Sequence, residues 1–210
     1  MHEKGFRMHP GGFYQLTLEG GEPELHIWPL AQDTSVKHNN FIHDHNYHLR
    51  SMTLLGSLKQ EGYRFHELPE SDPKATHQVF EAQRIQMKDY RSIAPTGKFG
   101  YLENNLVARM QSGEVHDIND GWLHKSMPDP TRLTATLIKK MGQSYNPTRI
   151  FVEKGKSISG HDLILQPTEQ TIAKSYLEHV LESLTEDIWD DAQRFIRHER
   201  KAKGKPVGSN

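Results

Sequence analysis

His43-Asp44-His45-Asn46-Tyr47-His48-Leu49-Arg50-Ser51-Met52-Thr53-Leu54-Leu55-Gly56 is the stretch on which the reading of this chain turns. Residues two apart in a strand share a face, so His43 and His45 are expected to point to one place. Such a pair is a two-point metal clamp, and imidazole suits Fe, Ni, Cu, Zn or Mn. A third ligand must then come from another part of the chain. The second informative stretch runs from Gly113 to Pro128. Within it Asn119-Asp120-Gly121 reads as a tight turn, because Gly121 is free to take a positive φ. His124 follows the turn and enters a new strand, expected to continue through Leu133–Ile138 after the Pro128–Pro130 turn.

Outward from these stretches, residues 1–165 read as short strands separated by Gly, Pro, Asn and Asp. The candidates are Phe13–Leu18, Leu25–Trp28, Phe41–His45, Ser51–Leu58, Tyr63–Leu68, Val79–Met87, Leu102–Met110, Leu133–Lys139, Arg149–Glu153 and Asp162–Leu165. Polar Glu70–Thr76, with Pro73, is expected to be an exposed loop. The period changes after Pro167. Ile172, Tyr176, Val180 and Leu184 recur at helical spacing behind a Thr168 cap. Ile188, Ala192, Phe195 and Ile196 form a second stripe behind Thr185. The expectation is an all-β domain over 1–165, an antiparallel barrel or sandwich, a helical hairpin over 166–204, and a disordered tail over 205–210.

Composition excludes several classes. The chain has 210 residues, no cysteine and 14 histidines. Thiolate metal sites and disulfides are therefore ruled out, and a metal must rest on His, Asp or Glu. Lys and Arg number 26 against 27 Asp and Glu, for a net charge of −1. That balance gives no global drive toward nucleic acid or acidic membranes. The basic end at Arg194–Lys205 reads as a solvated helix terminus. No apolar run is long enough to span a bilayer and no signal peptide is visible at Met1-His2-Glu3-Lys4, so a cytoplasmic location is expected. A lone histidine in a strand is more often structural than a ligand. His26, His38, His66, His77, His161, His179 and His198 are read that way, whereas joint spacing singles out His43, His45 and His124. His48 and His116 stand between the two groups, and His48 is a candidate proton carrier.

Together the two stretches resemble the cupin superfamily, whose motifs read G(x)5HxH(x)3–4E(x)6G and G(x)5PxG(x)2H(x)3N. His43, His45 and Gly56 match the first; Gly113, Gly121 and His124 match the second. Leu49 stands at the glutamate position and Lys37 at the first glycine, while Asn119 and Pro128 replace the proline and asparagine. The resemblance implies a cupin-type antiparallel β-barrel, a double-stranded β-helix or jelly roll. A three-histidine site lacking the glutamate is similar to the thiol dioxygenases, the cysteine dioxygenase-like group. That similarity implies non-haem Fe(II), a small-molecule substrate and O2. The group's substrate-binding arginine ahead of the metal strand is not found. Its Ser-His-Tyr relay is also missing, since Leu133–Met141 contains neither His nor Tyr.

The leading expectation is therefore a metal-dependent oxidoreductase, a dioxygenase or oxygenase acting on a small anionic molecule. Ni, Mn, Zn or Cu are alternative metals. A Lewis-acid isomerase or lyase and a non-catalytic small-ligand-binding cupin are alternative functions. His48 and Tyr47 are the catalytic candidates, and Ser51, Thr53, Trp122 and Ser126 the substrate-binding ones. If Leu49 faces the metal, strand alternation sends Ser51 and Thr53 inward and Arg50 and Met52 outward. The apolar helix stripes need covering, and a homodimer is one economical way to cover them.

Overall fold

The computed structural model describes residues 5–18, 23–30, 41–84, 91–142, 146–158, 166–167 and 170–197. Thirteen strands and two helices follow one another along these residues. The strands are β1 (Arg7–His9), β2 (Phe13–Thr17), β3 (Glu24–Trp28), β4 (Ile42–His43), β5 (His48–Leu55), β6 (Ser57–Leu68) and β7 (His77–Arg84). They continue as β8 (Arg91–Gln111), β9 (Val115–Ile118), β10 (Leu123–Pro128), β11 (Thr134–Met141), β12 (Thr148–Glu153) and β13 (Gln166–Pro167). The helices are α1 (Gln170–Ser183) and α2 (Glu186–Arg197).

The strands form two antiparallel sheets. One has the order β13-β1-β2-β3-β11-β5-β9. In the other, β10-β4-β12-β7-β8-β6, the pairing runs in a ring because β10 bonds both β4 and β6. Residues 41–84 and 91–142 pass repeatedly between the sheets, and glycine makes three of the crossings, at Gly56, at Gly113 (φ 88°) between β8 and β9, and at Gly121. Ser51–Leu58, expected as one strand, divides at Gly56 into β5 of the first sheet and β6 of the second. Gly56 has φ 73°, and a Cβ there would lie 2.4 Å from the Leu133 carbonyl oxygen. Only glycine fits that corner. Asn119–Gly121 carries the chain from β9 to β10, with Gly121 at φ 71°. The strand expected to run on from His124 into Leu133–Ile138 is likewise two strands, β10 and β11, in different sheets. Leu102–Met110 lies inside the much longer β8, which pairs with β6 and β7. Asp162–Leu165, Thr168 and the 205–210 tail lie outside the described residues.

The two faces of the first sheet differ. Tyr14, Leu25, Ile27, Met52, Leu54, Ala135 and Leu137 point to one side and pack with Ala173, Val180 and Ala192 of the helices. Met52, expected to face outward, is thus buried beneath a helix, while Arg50 is exposed. Thr185, the expected cap, stands just ahead of α2, where its Oγ1 accepts from the Ile188 amide; Lys139 Nζ donates to the Phe195 carbonyl near the end of α2. Ile172, part of the expected stripe, is exposed instead. The opposite face carries Phe13, Trp28, Leu49, Ile118 and Ile138, which meet Leu58 of β6 and Trp122 ahead of β10. The second sheet therefore lies across this face. Among the described residues, no helix is long and apolar enough to cross a membrane.

Candidate metal centre

His43 ends β4, and the strand stops there, so His45 lies in the following loop rather than on the strand that alternation had assigned to it. Both rings nevertheless meet His124 of β10. The ligating nitrogens of the three residues lie within 4.8 Å of one another. Ring centroids are 4.8 Å apart for His43–His45, 4.8 Å for His43–His124 and 5.0 Å for His45–His124. His43 and His124 are also direct partners in the β4–β10 register.

Local bonds set the tautomers. His43 Nδ1 is 2.9 Å from the Phe41 carbonyl oxygen, and His124 Nδ1 is 3.0 Å from that of Trp122. A carbonyl only accepts, so each Nδ1 carries the proton and each Nε2 keeps its lone pair. Burial and then the neighbouring His43 push the His124 pKa down to about 3, with His116 acting in the same direction. The ring is therefore neutral near pH 7, the form that binds metal.

Asp44, between the two histidines, does the positioning. It is buried, and its carboxylate accepts 2.6 Å bonds from both the Arg149 backbone amide and Arg149 Nε. Its own amide donates to the Arg149 carbonyl. Arg149 Nη2 then donates to the Gly121 carbonyl at 3.2 Å, and the Gly121 amide donates to the His45 carbonyl. One charge-assisted network thus ties the His45 loop to the turn that delivers His124. The sequence reading missed Asp44 and Arg149, although an acid that must face away from its two histidine neighbours was a visible signal.

Aromatic rings close the sides. Tyr47 stacks on His45 at 5.1 Å, and Trp122 lies nearly parallel to His124 at 5.4 Å. Gly62 sits opposite His124 in the register, and a Cβ there would come within 2.7 Å of the Trp122 ring. Gly62 therefore makes room for the tryptophan, a role no motif announces. Leu49 packs with Ile118 and Ile138, which gives this side of the centre an apolar wall.

The other candidates are distributed as follows. His48 turns to Asp117, with Nε2 3.3 Å from Oδ1, and the structure does not bring it to the histidine group. Ser126 donates to Gln60 Oε1 at 2.9 Å. The amide nitrogen of Gln60 faces His116 Nε2 at 3.4 Å. His116 is therefore half-buried behind the centre rather than on the surface, and burial lowers its pKa. Ser51 and Thr53 are buried on the inner face of β5. Among the described residues, buried atoms without a hydrogen-bond partner include Ser51 Oγ, Thr53 Oγ1, Thr136 Oγ1, Gln15 Oε1 and His116 Nδ1. Each such group costs about 1–3 kcal/mol.

Comparison of the chain with protein-family models and with curated proteins found no match. The three-histidine group in a sheet-rich fold is compatible with a cupin-like metal site. Its chemistry fits a divalent transition ion: three imidazoles, of which His43 and His124 have Nε2 freed by a carbonyl at Nδ1, and His124 is also kept neutral by burial.

Proposed function

We propose that this chain is a cupin-type, double-stranded β-helix oxidoreductase, with Fe(II) held by His43, His45 and His124 and a small anionic molecule as substrate. The observation that carries the reading is the convergence of three imidazoles with, among the described residues, no carboxylate in the group. When bound, Fe(II) supplies O2 activation and a positive centre for an anionic donor.

The chain's own residues account for the rest. Three neutral ligands leave the charge of the ion uncompensated, which favours an anionic substrate. Leu49, with Ile118 and Ile138, keeps one side apolar where a glutamate would add a fourth ligand. Tyr47 and Trp122 fix two imidazole rings by stacking and limit water access from their sides. Asp44 and Arg149 hold the His45 loop and the Asn119–Gly121 turn in fixed relation. Ser126, on the strand that carries His124, bonds Gln60, whose amide nitrogen faces His116.

The test is elemental analysis of natively purified protein, followed by O2-uptake measurements across a panel of small carboxylates, enolates and thiolates. Stoichiometric iron with substrate-dependent O2 uptake supports the proposal. Metal-dependent turnover without O2 uptake would identify Lewis-acid chemistry instead. Unaltered metal content in the His43/His45/His124 triple alanine variant would overturn the ligand set.

A further inference from the structure

His43 and His124 belong to a longer cross-strand row than the metal centre uses. His43 pairs with His124, His124 with Gly62, and Gly62 with Leu106, so these residues lie side by side across β4, β10, β6 and β8. Directly paired residues share a face of the sheet, so Leu106 faces the same way as the two histidines. Gly62 has no side chain, and its neighbours share the gap: a Cβ there would lie 2.7 Å from Trp122 Cζ2 and 3.1 Å from Leu106 Cβ. The indole and the leucine therefore meet over Gly62, and the indole also lies against His124. Along β8 this face opens toward solvent. Met110 packs with Leu58, Phe13 and Trp28, Ala108 is half-buried, and Leu106 is 47% exposed. The cover provided by the first sheet thus stops short of Leu106, and the metal-bearing face is open there. Val107 is 57% exposed, but it alternates to the opposite face, where it pairs with Glu61.

We propose that Leu106 and the Trp122 ring form an apolar lip beside the metal centre, on which the hydrocarbon body of the metal-bound anion lies. The substrate is then a small amphiphile, with a carboxylate, enolate or thiolate at the ion and an apolar chain or ring running toward β8. A lone exposed leucine is common on protein surfaces. What sets Leu106 apart is the pairing that puts it in line with two of the histidines and against an indole. Apart from those histidines, the row carries no charged or hydrogen-bonding side chain. Gln60 and Ser126, polar neighbours on the Met110 side, already bond each other at 2.9 Å. A hydrocarbon body laid here leaves no polar group of the row unpaired and removes leucine surface from water. Adjacent strands are about 4.8 Å apart, so a chain of about eight carbons spans the two gaps from β10 to β8. The anionic head rests on the proposed function above; the apolar lip does not.

The experiment uses the full chain. Zinc-loaded protein is titrated with acetate, butyrate, hexanoate and octanoate, and metal-free protein with the n-alkanols of the same lengths. Calorimetry reads affinity, and tryptophan emission reports contact with Trp122. The expected result is that each added methylene tightens binding by about threefold in both series. Leu106→Asn should flatten both series with metal content retained, and Leu106→Met should keep the gain. Val107→Asn, on the opposite face, is the control and should change nothing. Affinity that does not grow with chain length overturns the inference. Equal losses in Leu106→Asn and Val107→Asn also overturn it, because they would mark non-specific apolar binding. So does a dimer in analytical ultracentrifugation that Leu106→Asn dissociates while both series stay flat, which would assign the lip to a second copy of the chain. Zinc-dependent acetate binding with no gain from length would remove the lip and keep the anionic head. A Leu106-dependent gain among the alkanols without zinc-dependent acetate binding would remove the head and keep the lip.

Discussion

The two faces of the β2-β3-β11-β5 sheet are made by the same strands yet follow opposite rules. On the helix-covered face, Tyr14, Leu25, Ile27, Met52, Ala135 and Leu137 form a continuous apolar layer with Ala173 and Val180. On the inner face the same strands supply Gln15, His26, Thr136, Thr53 and Ser51, several with unpartnered polar atoms. The first face is built for burial, at roughly 25 cal/mol per Å² of apolar area. The second gives up part of that gain to keep polar groups within the fold. Four predictions test or sharpen this division.

The largest effect is expected where the inner side meets the metal. His124→Ala should lower metal affinity by more than about a hundredfold, beyond the cost of removing a supporting residue. The fold should survive, because the helix-covered core does not touch the ion; elemental analysis and circular dichroism check the two halves. Ile27→Ala should do the opposite. This fully buried side chain belongs to the helix-covered layer, and its loss should cost about 3–4 kcal/mol in urea unfolding with metal stoichiometry unchanged. A large change in metal stoichiometry from Ile27→Ala would break the comparison.

Acid should reveal the ions at the edge of the inner face. Burial raises the Glu24 pKa, but bonds and attraction from His26 and Lys140 outweigh it and bring the value to about 2. A carboxylate with a depressed pKa contributes stability that is present above its unfolded pKa and lost as pH falls through the folded value. Between pH 4.5 and 2 this loss should reach about 3 kcal/mol. His26 has the same sign: burial keeps its pKa below 6.5, so the unfolded chain takes up the proton first and stability already declines below that pH. Urea unfolding across pH, comparing wild type with Glu24→Gln, should show the lower part of the loss removed in the variant. A flat profile below pH 4.5 in wild type would refute the ion-pair account. The smallest effect is reserved for Gly62→Ala. Its Cβ would press on Trp122, at a cost of about 1–2 kcal/mol, and displace the ring stacked on His124. A changed tryptophan emission with metal retained is the expected signature.

Much of this was legible from local pattern. The short-strand texture, the glycine at residue 121 and the two helical stripes after Pro167 each depend on neighbours a few residues away, and the strands β2 and β3 and helices α1 and α2 fall where those signals lie. Alternation also put Ser51 and Thr53 on the Leu49 side of β5. It sent Met52 to the opposite face, where the helices cover it, because both faces of β5 are buried and outward does not mean solvent. Ile172 was misjudged because a stripe read at a fixed period is wider than the surface it meets.

What the sequence determined by itself was a set of donors: three histidines without a cysteine or glutamate beside them, the Asn119–Gly121 turn with its glycine, and a β chain followed by helices. What the tertiary structure decided was their meeting. His45 leaves the strand its spacing assigned to it, and is brought to His43 and His124 by Asp44, Arg149 and the Gly121 turn. Arg149 lies more than a hundred residues from Asp44, so no local period can encode that bond. The same holds for the row of Gln15, His26, Thr136 and Thr53. Its members come from four strands scattered along the chain, and only the strand order and register place them side by side. Spacing along a chain fixes which way a side chain can point; which group it faces depends on strand pairing between distant segments, and the free energy of that pairing comes from the whole core.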